Sequence, residues 1–334
     1  MGIHAFAAKG PRQPLASFEY DPGPLGDQEV EVSVTHCGIC HSDLSMADNE
    51  WGFTAYPLVP GHEVVGTISA LGKGVRHLEA GQRVGVGWLC GACGGCEWCS
   101  RGKNHLCPEQ RATIIGHHGG YADRVRSQAA FAIPIPDGLS SAEAAPLMCA
   151  GSTVYSPLVH QGVRPGMKAA VVGIGGLGHL AVQYLAKFGC EVTAISGTSS
   201  KEAEARKLGA TDFIATQDPS ALGKATMRFD VVVDTVSGDL PWQALIETLR
   251  PEGKLVICGV PASDLKFNVF PMISMERAVV GGRLGSAEDT KDMLSFSAAR
   301  KIKPMIETFS MKEVNKALDH VRSGKARYRA VLTV

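Results

Sequence analysis

The stretch that decides the fold is Gly173-Ile174-Gly175-Gly176-Leu177-Gly178. It follows an apolar run at 169–172 and opens a helical pattern at 177–188. Glycines in a strand-to-helix turn permit a tight bend and a close approach to a pyrophosphate, and the helix N-terminus adds unpaired N–H groups. The stretch therefore predicts a dinucleotide site formed by Gly173, Gly175, Gly176, Leu177 and Gly178. The alternative is that the glycines serve only to pack the helix on the strand.

Strands and helices alternate on the carboxyl side of this turn. The helical pattern 177–188 ends at Gly189, and Ser199 with Glu202 has the spacing of a capping box for a second helix. Alternation of this kind, with apolar strands, predicts a doubly wound parallel sheet of the α/β class. The predicted strands are 169–172, 191–195, 213–215, 231–233 and 255–257.

The amino-terminal part of the chain has a different pattern. Val30, Val32 and Val34 alternate with polar residues, which is the period of a half-buried strand. Short apolar runs separated by glycine follow, so this region is predicted to be mainly β. A closing strand at 330–334 needs a partner, and we expect it to pair with this region. The predicted domains are 1–150 with 286–334, and 151–285.

Composition excludes several classes of protein. The 334 residues include 33 Lys+Arg and 33 Asp+Glu, so the formal net charge is zero and no basic surface for nucleic acid is indicated. No apolar run approaches the 18 or so residues of a membrane span. The first residues do not form a secretory signal. We therefore expect a cytoplasmic protein without nucleic-acid or membrane partners.

Ten cysteines are the most informative count, because five of them fall between positions 90 and 107. In a reducing compartment, clustered cysteines indicate a metal site rather than disulfides. Cys93, Cys96, Cys99 and Cys107 would give a closed shell of four thiolates, as in structural zinc sites. Cys90 offers a rival fourth ligand, although a more distant ligand closes the loop more easily. The same cysteines could instead hold an iron–sulfur cluster or stay as free thiols.

The end of the second strand bears on the choice of cofactor. NAD sites usually place Asp or Glu there, to bind the ribose 2′-hydroxyl. This chain instead has Ser196-Gly197-Thr198-Ser199-Ser200-Lys201. Small hydroxyls and a lysine suit a 2′-phosphate, so Ser196, Thr198, Ser199 and Lys201 predict NADP. The alternative is that the serines only cap the following helix.

Cys40, His62 and Cys149 are candidates for a second metal site. Cys40 and His62 each lie close to glycine and to a carboxylate in sequence. A shell of two cysteines and one histidine leaves the fourth tetrahedral position open, which is the pattern of catalytic zinc. A lone cysteine or histidine is more often part of a core.

Five motifs together resemble the zinc-dependent medium-chain alcohol dehydrogenases, in the branch that contains the cinnamyl alcohol dehydrogenases. The resemblance covers nearly the whole chain. The motifs are Cys37-Gly38-Ile39-Cys40-His41-Ser42-Asp43, Pro60-Gly61-His62-Glu63-Val64-Val65-Gly66, the cysteine loop 93–107, Ala145-Pro146-Leu147-Met148-Cys149-Ala150-Gly151, and the glycine-rich turn. The fold implied is a Rossmann dinucleotide-binding domain with a mainly β GroES-like catalytic domain.

The resemblance also implies roles for individual residues. Cys40, His62 and Cys149 would bind catalytic zinc, with Glu63 next to the metal as an alternate ligand or a supporting group. Asp43 would fix the His62 tautomer, and Ser42 would take the alcohol proton. The structural zinc would be held by Cys93, Cys96, Cys99 and Cys107, which leaves Cys90 spare. Cofactor contacts would come from His41, Thr153, Thr235, Val236 and Arg329. The substrate pocket would include Trp51, Trp88 and Met272.

One position departs from the family pattern. Many members have a histidine five residues after the first zinc ligand, at the end of a proton relay, and this chain has Ser45. The sequence therefore leaves two routes by which the proton relay could reach solvent. One passes through the cofactor ribose and water, and the other passes through another group.

The predicted function is that of an NADP(H) alcohol dehydrogenase with two zinc ions per chain, which interconverts primary alcohols and aldehydes by hydride transfer. The alternative within the superfamily is an NAD-dependent alcohol or polyol dehydrogenase. A zinc-ribbon nucleic-acid module and a zinc-free reductase of the same fold are more distant candidates. The resemblance implies a homodimer, with a tetramer as the second possible assembly.

Overall fold

The structure, a computed structural model, describes residues 2–261 and 263–334. Its strands are β1 (Ile3–Ala7), β2 (Ala16–Tyr20), β3 (Glu29–Ile39), β4 (Val64–Leu71), β5 (Arg83–Val86), β6 (Leu89–Gly91), β7 (Arg111–Ala112), β8 (Arg124–Gln128), β9 (Ile133–Pro134), β10 (Lys168–Val172), β11 (Glu191–Ser196), β12 (Asp212–Ala215), β13 (Phe229–Asp234), β14 (Leu249–Ile257), β15 (Ala278–Gly281), β16 (Ile306–Ser310) and β17 (Arg329–Thr333). Its helices are α1 (His41–Ala47), α2 (Glu97–Ser100), α3 (Ser141–Pro146), α4 (Ser152–His160), α5 (Gly178–Lys187), α6 (Glu202–Leu208), α7 (Trp242–Glu247), α8 (Phe270–Ser274), α9 (Ala287–Arg300) and α10 (Val314–Arg322).

The chain forms two compact units, one of residues 1–152 and 285–334 and one of residues 153–284. The second unit contains a six-stranded sheet in the order β12-β11-β10-β13-β14-β15, and every pair in it is parallel. Counted from β10, this order is 3-2-1-4-5-6, the order of dinucleotide-binding domains. The predicted doubly wound parallel sheet is confirmed. Sequence patterning missed β15, because its four residues are only partly buried and show no periodicity.

The first unit is mainly β. Its largest sheet runs β16-β17-β3-β4-β5-β9, and β8 also pairs with β3. The closing strand β17 lies antiparallel to β3, with Ala330 opposite Ile39 and Thr333 opposite His36. The expected pairing of the last strand with the amino-terminal region is therefore confirmed. This pairing brings the start of β17 to the carboxyl end of β3, where α1 begins.

Two helix beginnings or ends depart from a regular pattern. The helix α3 is followed directly by a π-helical turn, Leu147–Gly151. Pro146 lacks an N–H group, so the regular hydrogen-bond ladder cannot continue unchanged through it. Ser199 does not cap α6. It opens a 3₁₀ turn, Ser199–Lys201, and the α-helix begins at Glu202 without a side-chain cap. The capping box of Ser140 and Glu143 on α3 is present.

No helix in the described part of the chain combines the length and apolar character needed to cross a lipid bilayer.

Candidate functional site

A single buried carboxylate organises the first candidate metal site. Asp43 lies in the first turn of α1 and is fully buried. Its Oδ2 accepts the backbone N–H of Cys40 at 3.0 Å, and its Oδ1 accepts the backbone N–H of Gly61 at 2.8 Å. Oδ1 also accepts Nδ1–H of His62 at 2.8 Å. Asp43 thus fixes both the residue that precedes α1 and the loop that leads into β4.

The hydrogen bond to Asp43 determines which nitrogen of His62 is available. A carboxylate only accepts, so Nδ1 carries a proton, and in the neutral ring that a metal requires Nε2 keeps its lone pair. Nε2 is buried and has no hydrogen-bond partner among the described residues. A buried acceptor without a partner is costly, and coordination of a cation would satisfy it.

Gly61 permits the close packing behind His62. Its φ of +100° lies in the left-handed region, and a Cβ there would approach the Tyr121 ring and the Cys37 Sγ atom. Tyr121 is fully buried. Sequence reasoning missed Tyr121, because it belongs to no motif and has no distinctive spacing.

Cys149 reaches the same place from the π-helical turn Leu147–Gly151, an irregularity that is frequent at functional sites. One ligand atom from each of Cys40, His62, Glu63 and Cys149 lies within 4.8 Å of the other three. A hydrogen bond between the two thiols lowers the pKa of Cys40 and raises that of Cys149, so they compete for one proton. Two thiols and an imidazole nitrogen facing one point fit a zinc ion.

Glu63 is turned toward Arg329 rather than left free. The two side chains form a buried ion pair, Arg329 lying at the start of β17. Burial raises the pKa of Glu63 to about 7, and Arg329 opposes that rise. One carboxylate oxygen, Oε2, has no hydrogen-bond partner among the described residues. Glu63 can therefore neutralise Arg329 and still offer an oxygen to the cluster.

The second candidate metal site lies around α2. One sulfur atom from each of Cys93, Cys96, Cys99 and Cys107 lies within 4.8 Å of the others. The separation is 3.5 Å between Cys107 and Cys93, and 4.0 Å between Cys93 and Cys99. A tetrahedral zinc shell with bonds of about 2.3 Å places its sulfurs about 3.8 Å apart, so the geometry fits. Cys90 lies outside the group, and its thiol donates to the Arg111 carbonyl.

The glycine-rich turn has the geometry that a dinucleotide needs. Gly173 has φ of +85°, and a Cβ at Gly178 would collide with the Gly173 carbonyl oxygen. The space around Gly175 is open, since a Cβ there would meet no atom within 4 Å. The three glycines thus permit the tight turn, leave open space at Gly175 and allow α5 to pack closely on the turn.

The end of β11 carries the predicted cofactor-selecting residues. Lys201 donates from Nζ to the Ile174 carbonyl of the glycine-rich turn at 2.6 Å. Thr198 and Ser200 share a hydrogen bond of 2.7 Å. Glu202, the nearest carboxylate in sequence, pairs with Arg206 at 2.8 Å. It is thereby held on α6 rather than at the end of the strand.

The remaining predicted residues are distributed over both units. Thr235 donates to the Val172 and Gly173 carbonyls, which places it and Val236 beside the glycine-rich turn. The Thr153 carbonyl accepts from the Cys258 thiol. Within the first unit, His41 is exposed and Ser42 is partly exposed at the start of α1. Met272 packs against the core of the second unit.

Ser45, the position that departs from the family pattern, is buried. Its hydroxyl donates to Glu50 Oε2 at 2.7 Å. The Ser45 hydroxyl is therefore hydrogen-bonded to Glu50, a residue that the sequence analysis did not identify.

Aromatic rings lead from the surface to His62. The Trp88 ring lies edge-on to the His62 ring, with 4.8 Å between the ring centroids. The centroids of the Trp51 and Trp88 rings are 6.3 Å apart. Phe53, more than half exposed, stacks on Trp51 at 5.9 Å. The predicted pocket residues Trp51 and Trp88 therefore lie in contact with each other, and Trp88 also contacts His62 of the metal cluster.

Comparison with known proteins identifies the family. Residues 26–137 match the alcohol dehydrogenase GroES-like domain, and residues 176–299 match the zinc-binding dehydrogenase domain. The aldehyde reductase AdhA of Synechocystis sp. is 46% identical over 331 residues, 99% of this chain and 98% of that protein. The chain belongs to the zinc-dependent medium-chain alcohol dehydrogenases, in the cinnamyl-alcohol-dehydrogenase-like branch. The resemblance inferred from the five motifs is confirmed.

Solved structures of this family share the fold over the whole chain. A cinnamyl alcohol dehydrogenase from Sorghum bicolor is 36% identical with a TM-score of 0.96, covering 100% of this chain and 98% of that one. A Helicobacter pylori enzyme of the same kind, solved in complex with NADP(H), is 28% identical with a TM-score of 0.90, covering 100% and 98%. The predicted Rossmann and GroES-like domains are confirmed.

Asp234 is a residue at the nucleotide side that sequence reasoning missed. It ends β13, directly before Thr235, and is fully buried. Its Oδ1 accepts the Val236 N–H at 2.9 Å, whereas Oδ2 has no partner among the described residues. Burial raises the pKa of Asp234 from 3.8 to about 6.

We predict that Asp234→Asn stabilises the second unit at neutral pH. The folded-state pKa lies above the unfolded value, so the wild-type carboxyl favours folding at low pH, and this contribution is lost as the pH rises through about 6. The variant should be more stable at pH 7.5 by about 1–3 kcal/mol, and the difference should vanish below about pH 4. Urea unfolding across this range measures it.

The control is Asp264→Asn, which changes an exposed carboxylate of the same unit. It should show no such pH-dependent difference. A difference for Asp234→Asn that stays constant from pH 4 to pH 8 would contradict the prediction.

Proposed function

We propose that this protein is a zinc-dependent NADP(H) alcohol dehydrogenase that interconverts primary alcohols and aldehydes. The observation that carries the proposal is the convergence of Cys40, His62, Cys149 and Glu63 within 4.8 Å, with the His62 tautomer fixed by Asp43. Three soft or borderline ligands leave one tetrahedral position for substrate. The names of the relatives, an aldehyde reductase and cinnamyl alcohol dehydrogenases, support the same reaction.

We assign the first unit to catalysis and the second to cofactor binding. Zinc, when bound at Cys40, His62 and Cys149, supplies a Lewis acid for the substrate oxygen, and the nicotinamide supplies or accepts the hydride. Asp43 holds His62 with Nε2 available. Ser42, two residues after Cys40 and partly exposed, is the hydroxyl that accepts the alcohol proton and passes its own proton on to the cofactor ribose and water. His41 and Arg329 remain our candidates for contacts to the cofactor phosphates.

The aromatic residues favour flat or unbranched substrates. Trp88 touches His62 and therefore narrows the space next to the metal ligands. Trp51 and the exposed Phe53 extend the same aromatic surface outward. Rings of this kind bind apolar and aromatic aldehydes through contact area rather than charge.

The proposed cofactor preference rests on the end of β11. Residues 196–201 contain no carboxylate, Glu202 pairs with Arg206, and Lys201 donates to the glycine-rich turn. An ammonium beside hydroxyl groups suits a phosphate on the adenosine ribose. The NADP(H) complex of the Helicobacter pylori relative supports this choice.

We predict that Cys40→Ser abolishes turnover and lowers the zinc content from two ions to one per chain. Serine does not replace a thiolate as a zinc ligand, while the second unit is untouched, so NADPH should still bind. Metal analysis, aldehyde reduction and NADPH fluorescence measure the three effects. Cys190→Ser, at a thiol of the second unit outside both metal clusters, should retain zinc and activity. Unaltered turnover in Cys40→Ser would refute the assignment.

A second pair of variants tests the structural metal site. Cys107→Ser should lose one zinc ion and lower the melting temperature of the first unit, because a structural zinc contributes directly to folding. Cys90→Ser should keep both ions, since Cys90 donates to the Arg111 carbonyl and lies outside the group. The reverse result would show that Cys90 is the fourth ligand.

We predict that Lys201→Ala reduces kcat/KM for NADPH by about tenfold and changes that for NADH little. The variant removes one charge-assisted hydrogen bond to the 2′-phosphate, which NADH lacks. The measurement is a kinetic panel of aromatic and aliphatic aldehydes with each cofactor. Lys207→Ala, an exposed lysine on α6, is the control. An equal loss with both cofactors, or a wild-type preference for NADH, would contradict the proposal.

A further inference from the structure

The first unit contains a cavity of about 480 Å³ whose lining includes only Phe53 of the aromatic residues assigned above to substrate binding. It lies between the end of β2, the segment 53–58 and the segment 111–118. Buried apolar side chains form its floor, namely Ile3, Met46, Leu58 and Ile114. The volume falls in the range of pockets for small organic molecules. Cys40, His62, Glu63 and Cys149 are not among its lining residues, so it is separate from the metal cluster.

Aromatic rings and imidazoles form the walls of the cavity. The His118 ring contacts Tyr20 at 4.2 Å and meets Phe18 edge-on at 5.7 Å. Phe53 and Ile115 also line the cavity and are 56% and 38% exposed. A flat apolar ligand would remove this apolar surface from water, which is favourable.

The charged groups at the cavity compensate one another. Arg126 donates to Glu31 Oε2 at 3.1 Å and to the carbonyls of Pro22 and Gly23. Arg111 faces Glu29 at 3.7 Å. Since both arginines are engaged by carboxylates, the balance of charge favours an uncharged ligand.

The imidazoles supply the polar partner for such a ligand. His117 uses Nδ1 on the Thr113 carbonyl at 3.2 Å. His118 is different, because neither ring nitrogen has a hydrogen-bond partner among the described residues, and Nδ1 is buried, so Nε2 is the nitrogen that a ligand in the cavity can reach. Burial lowers the pKa of His118, so the ring is neutral and carries one donor and one acceptor. A hydroxyl group can pair with such a ring in either direction.

We propose that this cavity is a second, non-catalytic binding site for an uncharged aromatic alcohol or phenol, with the rings against Tyr20 and Phe53 and the hydroxyl paired with His118. The inference concerns binding alone and holds whether or not the proposed function is correct. The cavity nevertheless borders the aromatic surface of the metal cluster, because Phe53 stacks on Trp51.

The test is isothermal titration of the full chain with 2-naphthol, a phenol that lacks the carbinol C–H bond needed for hydride transfer. Ala55→Trp, at an exposed lining position, should fill the cavity and weaken binding at least tenfold. Ala80→Trp, at an exposed position outside the lining, should leave the affinity unchanged. Trp88→Ala alters the proposed substrate pocket and should also leave it unchanged.

A second variant isolates the hydroxyl contact. His118→Phe keeps a ring against Tyr20 but removes both nitrogens. The preference of the protein for 2-naphthol over 2-methylnaphthalene should fall by about three- to tenfold, the effect of one hydrogen bond. His77→Phe, at an exposed histidine outside the lining, should keep the wild-type preference.

The opposite results overturn the proposal. Absence of 2-naphthol binding at millimolar concentration would show that the cavity is not a site for this class. Binding that Trp88→Ala weakens, and that Ala55→Trp and His118→Phe leave unchanged, would place the phenol in the substrate pocket. The His118→Phe result decides the matter if Ala55→Trp does not fold.

Discussion

The carboxylate of Asp43 accepts three hydrogen bonds in a place with no access to water, and the geometry of the candidate active site depends on them. Two come from the backbone at Cys40 and Gly61, and one comes from the His62 ring. A buried carboxylate needs such partners, because an unpaired charge of this kind costs several kcal/mol. The same bonds join the end of β3 to the loop before β4. One residue therefore positions two candidate metal-binding groups and fixes the tautomer of His62.

The pair of Glu63 and Arg329 adds a second constraint on the same cluster. Arg329 is close to Glu63 only because β17 pairs with β3, across more than 260 residues of chain. Loss of one partner of a buried ion pair leaves an uncompensated charge, at a cost of about 3–5 kcal/mol. The last strand therefore contributes Arg329 to the candidate metal site and also forms part of the sheet of the first unit.

The environments of the ten cysteines, and not their spacing alone, show which of them can bind metal. Four lie around α2 with sulfur separations that fit a closed zinc shell, and two face His62. Cys90 shares the C-x2-C spacing of the first group, yet its thiol points to a backbone carbonyl. Burial raises the pKa of Cys90 to about 11, which leaves it an inert thiol. The density of cysteines near residue 100 marks a structural feature, while the proposed chemistry lies at Cys40 and Cys149.

By itself the sequence determined the two-part fold, because local hydrophobic periodicity distinguishes its strands from its helices. It also determined the glycine-rich turn and the candidate metal-binding residues, because their spacings are fixed. Gly173, Gly175 and Gly178 each meet a different local steric requirement, and the spacing of the six-residue motif shows all three in the sequence. Only the tertiary structure decided the rest. It showed that Cys107 rather than Cys90 joins the cysteine group, that Cys149 sits on a π-helical turn, and that Ser45 is bonded to Glu50. It also showed that Tyr121 and Asp234 are buried next to the sites, and that His118 lines a cavity. These facts depend on contacts between segments far apart in the chain, and the periodicity of one segment carries no information about what packs against it.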